Sequence, residues 1–258
     1  MTNYQFLAPE NTRFIGLGNY SEALRDPIFW KAMGNSAYFL ILNIPLAVVL
    51  PLFLAVMINT GLKGGTFFRT SFLIPCMLSV SVVALIWMWI YNPVYGILND
   101  FLRRIFSLSL KTSLLGTPQW AMPSLALVSV WLRLGYSTLF YLVGLSDISP
   151  DLYEAASIDG ATSWQSLTRI TLPLLKPSFA IVFLIVTVNS LRELALMKVM
   201  TEGGPVQSTL TAMLYVYKVA FQLGNWRLGY ASALALILSG VIGILSLLYF
   251  TAMYGEKR

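Results

Sequence analysis

Asn189, Arg192 and Glu193 are spaced i, i+3 and i+4 inside an apolar run, and Arg133 lies midway along another. On one helix that spacing puts an amide, a guanidinium and a carboxylate on a single face. Charge at a bilayer centre costs about 2.5–3.5 kcal/mol on insertion scales, so each of these residues needs a reason. Two readings stand. One is an internal ion-paired strut, with Arg133 as a partner for Glu193. The other is a substrate pathway, in which a polar face with Trp131 and Tyr136 nearby suits a hydroxyl-rich ligand. The two arginines would equally favour an acidic sugar or a phosphate ester. Lys198, near the end of the same run, can snorkel outward and needs no function. The chain has no histidine, which removes a Ser-His-Asp triad, a His-ligated metal and His acid–base chemistry. Its one cysteine, Cys76, falls in an apolar run and reads as a packing residue. No catalytic residue, metal site or cofactor is expected in this chain. It also lacks a GxxxxGK[ST] phosphate loop, so it is not expected to hydrolyse ATP itself.

The elements that must hold these residues are membrane helices. Of the 258 residues 57% are hydrophobic and 11% charged, against about 25% charged in a soluble domain. The net charge of +6 invites nucleic acid, but the seventeen Lys and Arg never form a run of three, so no such patch is expected. A hydrocarbon core needs roughly 20 apolar residues per helix. Five segments qualify, at about 33–58, 71–91, 121–145, 178–200 and 229–254. The first contains Pro45 and Pro51, which membrane helices tolerate. Trp87, Trp89 and Tyr91 close the second like an interfacial aromatic belt. The expected fold class is all-α, a polytopic transmembrane helical bundle. The opening MTNYQFLAPENTRFIGLG has no basic start, apolar centre or small-residue cleavage site, and reads as an extramembrane segment within residues 1–32. Lys63, Arg69, Arg169, Lys176, Lys257 and Arg258 fall on one side. Arg13, Arg25, Lys31, Arg103, Arg104, Lys111, Lys218 and Arg227 fall on the other. That bias leans weakly towards a cytoplasmic N-terminal side and does not decide the orientation.

Between the third and fourth spans lies a polar insert, residues 146–177. Ser149-Pro150 is a helix start, with Asp151 and Glu154 in the first turns, where the helix dipole favours acid. This helix should run to about Asp159 and stop at Gly160. A second should start at Thr162, with Gln165 completing a capping box, and end near Leu172 at Pro173. Tyr153, Ile158 and Trp164 add apolar surface. The pair suits docking into another protein, and an amphipathic pair lying on the membrane would look similar. The acid excess of Asp147, Asp151, Glu154 and Asp159 over Arg169 and Lys176 disfavours anionic lipid.

Glu154-Ala155-Ala156, then Gly160, then Ile170-Thr171-Leu172-Pro173 resemble the EAA signature of ABC importer permeases, with every spacing in agreement. The resemblance implies a cytoplasmic coupling helix docked in an ATPase subunit. Glu154, Ala155, Ala156, Ile158, Asp159, Gly160, Ile170, Leu172 and Pro173 would be its coupling residues. It overrules the charge count and places the N-terminal side outside the cell. FIGLGNY (14–20), MTEGGPVQST (200–209) and GYASALA (229–235) are similar to the carbohydrate-uptake branch, to subunits akin to the larger membrane subunit of the maltose transporter and its glycerol-phosphate relatives. Relatives carry a further span before FxGLxNY. Met1 begins about where it would finish: either the start is trimmed or assigned late, or this subunit lacks that helix. The resemblance implies a multi-pass permease (domain 33–258) in the bacterial inner membrane. Its expected partners are a second homologous permease subunit, an ATPase dimer holding ATP and Mg, an extracytoplasmic solute-binding protein, the lipid bilayer and a carbohydrate substrate. Arg133, Tyr136, Asn189, Arg192 and Glu193 are the substrate-pathway candidates. The rival is an ion-coupled secondary transporter or channel, for which Glu193 is the one clear intramembrane carboxylate.

Overall fold

The computed structural model describes residues 2, 4, 12–59, 65–106, 113–223 and 226–254. Most of residues 1–11, Lys63, Lys111, Lys257 and Arg258, which entered the orientation argument, lie outside the described residues. Every regular element described is helical, and one isolated bridge pairs Thr2 with Phe14.

The chain enters through α1 (Gly18–Arg25) and turns at Asp26 into α2 (Pro27–Asn59). Asp26 starts α2 six residues before the expected apolar boundary. Its Oδ1 accepts from the N–H groups of Ile28 at 2.8 Å and Phe29 at 3.3 Å, with Pro27 at the first helical position. The helix runs through Pro45 and Pro51 without ending. At about 1.5 Å per residue its 33 residues exceed what a bilayer core requires. The expected second span is a broken one, divided into α3 (Gly65–Met77) and α4 (Val80–Ile90). Pro75 lies in the last turn of α3, and Ser79, a residue type that favours helix starts, stands directly before α4.

Beyond α4 comes α5 (Ile97–Phe106), a charged and apolar helix between the expected second and third spans. The third span is α6 (Pro118–Ser146). The insert supplies α7 (Pro150–Ile158), α8 (Ser163–Ser166), a π turn at Leu167–Thr171 and α9 (Leu172–Leu174). It leads into α10 (Lys176–Leu191) at a 64° bend. The remaining helices are α11 (Ala195–Met200), α12 (Ala212–Phe221) and α13 (Leu228–Tyr254). Among the described residues three helices, α2, α6 and α13, are long and apolar enough to cross a membrane, or up to five spans if each bent pair counts as one.

The chain forms two compact units. One comprises Asn43–Ser79 and Ser129–Thr187. Its core gathers Ala47, Val48 and Ala55 of α2, Tyr141 and Leu145 of α6, and Leu175, Val182 and Val186 around α10. Glycine lets backbones close up here. A Cβ on Gly135 would lie 2.0 Å from the Phe72 carbonyl oxygen, and one on Gly144 would lie 2.1 Å from Ser178 Oγ. Such small-residue contacts are how membrane helices gain dispersion energy without a hydrophobic drive. The other unit comprises Met1–Leu42, Val80–Val128 and Val188–Arg258. In it α12 packs on α13, α11 on α4 and α1 on α13. Ser36 Oγ accepts from the Ala212 N–H at 2.9 Å, and the Asn35 amide donates to the carbonyls of Gln207 and Leu210 at 2.8 and 2.9 Å. These bonds from α2 satisfy polar backbone groups leading into α12.

Candidate functional site

The insert is a rigid hinged pair, and its rigidity is local chemistry. Ser149 Oγ accepts from the Asp151 N–H at 3.3 Å, and Pro150 sits where no donor is needed. At the other end of α7 the Gly160 N–H reaches the Ser157 carbonyl at 3.1 Å, and the Ala161 N–H reaches the Ala156 carbonyl at 2.9 Å. That pair of bonds is a Schellman turn, which needs a left-handed residue, and Gly160 has φ +76°. Thr162 and Gln165 then close the expected capping box, at 3.3 Å from the Gln165 N–H and 2.7 Å from the Thr162 N–H. The second arm departs from expectation. It does not stop at Leu172 but passes through the π turn to Leu174. The wider turn makes room for the Pro173 ring, which in a regular helix would collide with the Arg169 carbonyl.

The two arms are tied by the Tyr153 hydroxyl and Thr171 Oγ1, 2.9 Å apart. Tyr153 is therefore half-buried and internal, not part of the outer surface as its type suggested. Glu154, Ala155, Asp159 and Gly160 are exposed, Ala156 and Ile170 are half-buried, and Leu172 and Pro173 are exposed. Ile158 is 86% exposed and Trp164 71%. The result is a projecting knuckle with two large apolar side chains and an acidic margin. Behind it, Val56, Asn59, Leu145, Ser157, Ser166 and Leu167 help line a groove of about 400 Å³.

The intramembrane polar residues fall differently from the sequence reading. Asn189 is exposed near the end of α10, but Arg192 and Glu193 lie past that helix, in the break before α11. They do not continue one helix face. The Arg192 N–H still bonds the Val188 carbonyl at 3.1 Å, whereas the Glu193 N–H tightens to the Ser190 carbonyl at 3.4 Å. Glu193 is 5% exposed, and its Oε1 accepts from the Leu196 N–H at 3.2 Å, supplying an acceptor to the first turn of α11. Its own carbonyl accepts from Thr211 Oγ1 at 3.5 Å. Asn189 and Arg192 are exposed, and Glu193 is buried against backbone. In the other unit, Arg133 donates to Ser129 Oγ, which also accepts from Asn43 Nδ2 at 3.2 Å. Tyr136 is exposed and edge-on to Phe140, with ring centroids 4.9 Å apart. Lys198 does not reach outward alone. Its ammonium sits 3.9 Å from the centroid of the Tyr217 ring and bonds that residue's hydroxyl.

Two features add to the sequence reading. The Asp26 carboxylate, besides capping α2, accepts from the hydroxyls of Tyr215 at 2.6 Å and Tyr230 at 2.8 Å. Burial alone would raise its pKa. The two tyrosine bonds and the two backbone N–H groups outweigh that and hold it below the usual carboxylate range. Glu22 and Arg227 form a two-pronged pair beside it, at 2.7 and 2.6 Å, which raises the Arg227 guanidinium. The Asp-Pro helix start was readable, but its tyrosine partners lie about two hundred residues away. The second feature is the loop at residues 201–211. Glu202, Val206 and Gln207 have φ of +52°, +51° and +60°. Positive φ at a β-branched residue is strained, and Val206 is held exposed while Lys31 Nζ donates to its carbonyl at 3.2 Å.

Residues 23–255 match the family described as "Binding-protein-dependent transport system inner membrane component". The sulfoquinovosyl glycerol transport system permease protein SmoG of Agrobacterium fabrum is 35% identical over 87% of this chain and 72% of its own length. The multiple sugar-binding transport system permease protein MsmF of Streptococcus mutans is 36% identical over 92% of this chain and 80% of its own. The fold is similar to a chain from a crystal structure of a bacterial ABC transporter that imports the acidic polysaccharide alginate. The TM-score is 0.85 at 24% identity, covering 98% of this chain and 87% of that one. A second structure, of the alginate transporter in complex with an alginate pentasaccharide-bound periplasmic protein, gives 0.82 at 24%, covering 95% and 84%. The family match supports the permease reading over the ion-coupled one. The chain belongs to the family of inner membrane components of binding-protein-dependent transport systems, whose relatives here are transport-system permeases.

Proposed function

We propose that this chain is the lever and half of the pathway in an ATP-driven bacterial importer of carbohydrate. Its knuckle docks in a partner ATPase that binds ATP and Mg. The observation that carries this reading is the knuckle itself: capped at both helix starts, locked at Gly160, tied through Tyr153 and Thr171, and presenting Ile158 and Trp164 outward. Large apolar side chains held rigidly at a surface tip suit insertion into a groove. A lever must also transmit, and the second arm continues through the 64° bend into α10 without a slack linker. Closure of an ATPase dimer would push α7 and swing α10 with the core around Leu175 and Val182.

A second homologous permease subunit would complete the pathway, and an extracytoplasmic solute-binding protein would deliver the cargo. The strained loop carrying Val206 is the surface we assign to that delivery. Substrate-pathway roles go to Asn189, Arg192 and Tyr136, which are exposed, with Arg133 behind Ser129 as a structural donor. Glu193 acts as a positioning residue for α11. The relatives that carry a sulfoquinovosyl glycerol or multiple sugars support a carbohydrate cargo. Arg192 leaves room for an acidic one. The test is reconstitution with the ATPase subunits in liposomes. Sugar import should require ATP and the binding protein, and Ile158→Asp should abolish import while the complex with the second permease subunit persists. Import driven by an ion gradient without ATP would overturn the reading.

A further inference from the structure

The end of α4, α5 and the start of α6 enclose an apolar groove of about 540 Å³ that the transport mechanism does not use. Trp87 and Tyr91 line it from α4, Leu98 and Phe101 from α5, and Trp120 and Leu127 from α6. The Tyr91 hydroxyl is occupied, donating to the Ser124 carbonyl at 3.1 Å, so its ring serves the wall. On α5 the residues Ile97, Phe101 and Ile105 recur every four positions and are all exposed, while Asp100, Arg103 and Arg104 form a charged edge. A short helix with one open apolar face and one charged edge, flanked by Trp and Tyr, is built for the boundary between acyl chains and water.

The charged edge selects the occupant. Asp100 accepts from Arg103 at 2.5 Å and from Arg104 at 2.8 Å, so two guanidinium groups share one carboxylate and one positive charge is left over. Both side chains are well exposed, at 68% and 75%, and planar guanidinium forks match phosphate oxygens. We infer that this groove binds an anionic phospholipid, with an acyl chain between α4, α5 and α6 and the headgroup phosphate on Arg103 and Arg104.

The test uses the assembled, delipidated importer reconstituted with phosphatidylglycerol or phosphatidylcholine bearing a photoreactive acyl chain, followed by peptide mapping. Labelling of residues 87–101 and 120–127 should favour phosphatidylglycerol about fivefold, the factor expected for one net charge at a membrane surface. The exposed pair makes Arg103→Gln/Arg104→Gln a variant that should assemble normally and bring the ratio to about one. Equal labelling by both lipids, or an unchanged preference in the double variant, overturns the headgroup assignment. No labelling of these stretches by either lipid overturns the site, and leaves the groove to a protein neighbour.

Discussion

Replacing Gly160 by alanine tests the knuckle as a geometric device. The residue has φ +76°, and a Cβ there would meet nothing within 4 Å, so the substitution adds strain without a clash. A left-handed conformation costs an L-residue about 1–2 kcal/mol. The chain can accept that strain or relieve it by opening the turn. Opening gives up the bonds from Gly160 to Ser157 and from Ala161 to Ala156, each about 1 kcal/mol net. Either way, 1–2 kcal/mol lowers the population of the hinged geometry by about five- to thirtyfold relative to its alternatives. The assay is sugar imported per ATP hydrolysed in proteoliposomes, with thermal unfolding measured in parallel. Gly160→Ala should cut that ratio several-fold while the melting temperature falls by only about 2–4 °C per kcal/mol. Gly160→Asn, which tolerates positive φ, should lie near the parent. If the alanine variant keeps the normal ratio, or asparagine is as damaging as alanine, the conformational argument fails.

Gly135→Ala should be far more disruptive, because its Cβ would meet the Phe72 carbonyl at 2.0 Å; about 1–3 kcal/mol of overpacking should appear as lost yield and a lower melting temperature in detergent. Glu193→Ala should lose about 1–3 kcal/mol by leaving the Leu196 N–H without its acceptor, whereas Glu193→Gln keeps an acceptor oxygen and should lose less, read by the same melts. Asp26 has its folded pKa below the ordinary 3.8, so its contribution is fully present above that pH and is lost as pH falls through the folded value. The gap in melting temperature between parent and Asp26→Asn should therefore be constant near neutrality and close under acid; a gap that widens as pH falls would refute the assignment. Tyr153→Phe removes one bond between the knuckle's arms and should weaken coupling more than folding, measured as import per ATP.

What was legible in the sequence was what neighbouring residues decide. Ser149-Pro150, Gly160 and the Thr162–Gln165 box act over three to five positions, and the structure has each of them in its expected role. The break after Leu191 was not legible. No glycine or proline marks it, and Glu193 supports it by bonding the Leu196 N–H, a choice made by burial within the unit. The assumption of one continuous helix therefore put Glu193 on a shared face with Asn189 and Arg192. Leu167–Thr171 misled in the opposite direction. Pro173 signals a stop, but widening to a π turn let the arm continue. In α5 the i, i+3 and i+4 spacing of Asp100, Arg103 and Arg104 is a readable helix signal, but the helix is too short and too charged to register as a span. The Asp26 cluster depends on Tyr215 and Tyr230, and no local pattern could have joined them.

The central claim is that the knuckle is where an ATPase subunit docks. With Cys76 replaced by serine, a single cysteine introduced at Ile158 can be cross-linked in the assembled importer in native membranes. The account predicts one dominant product containing the ATPase subunit, with a yield that changes when ATP is added. A cysteine at residue 158 that labels with lipid-soluble reagents and gives no ATPase product, with or without nucleotide, would contradict it.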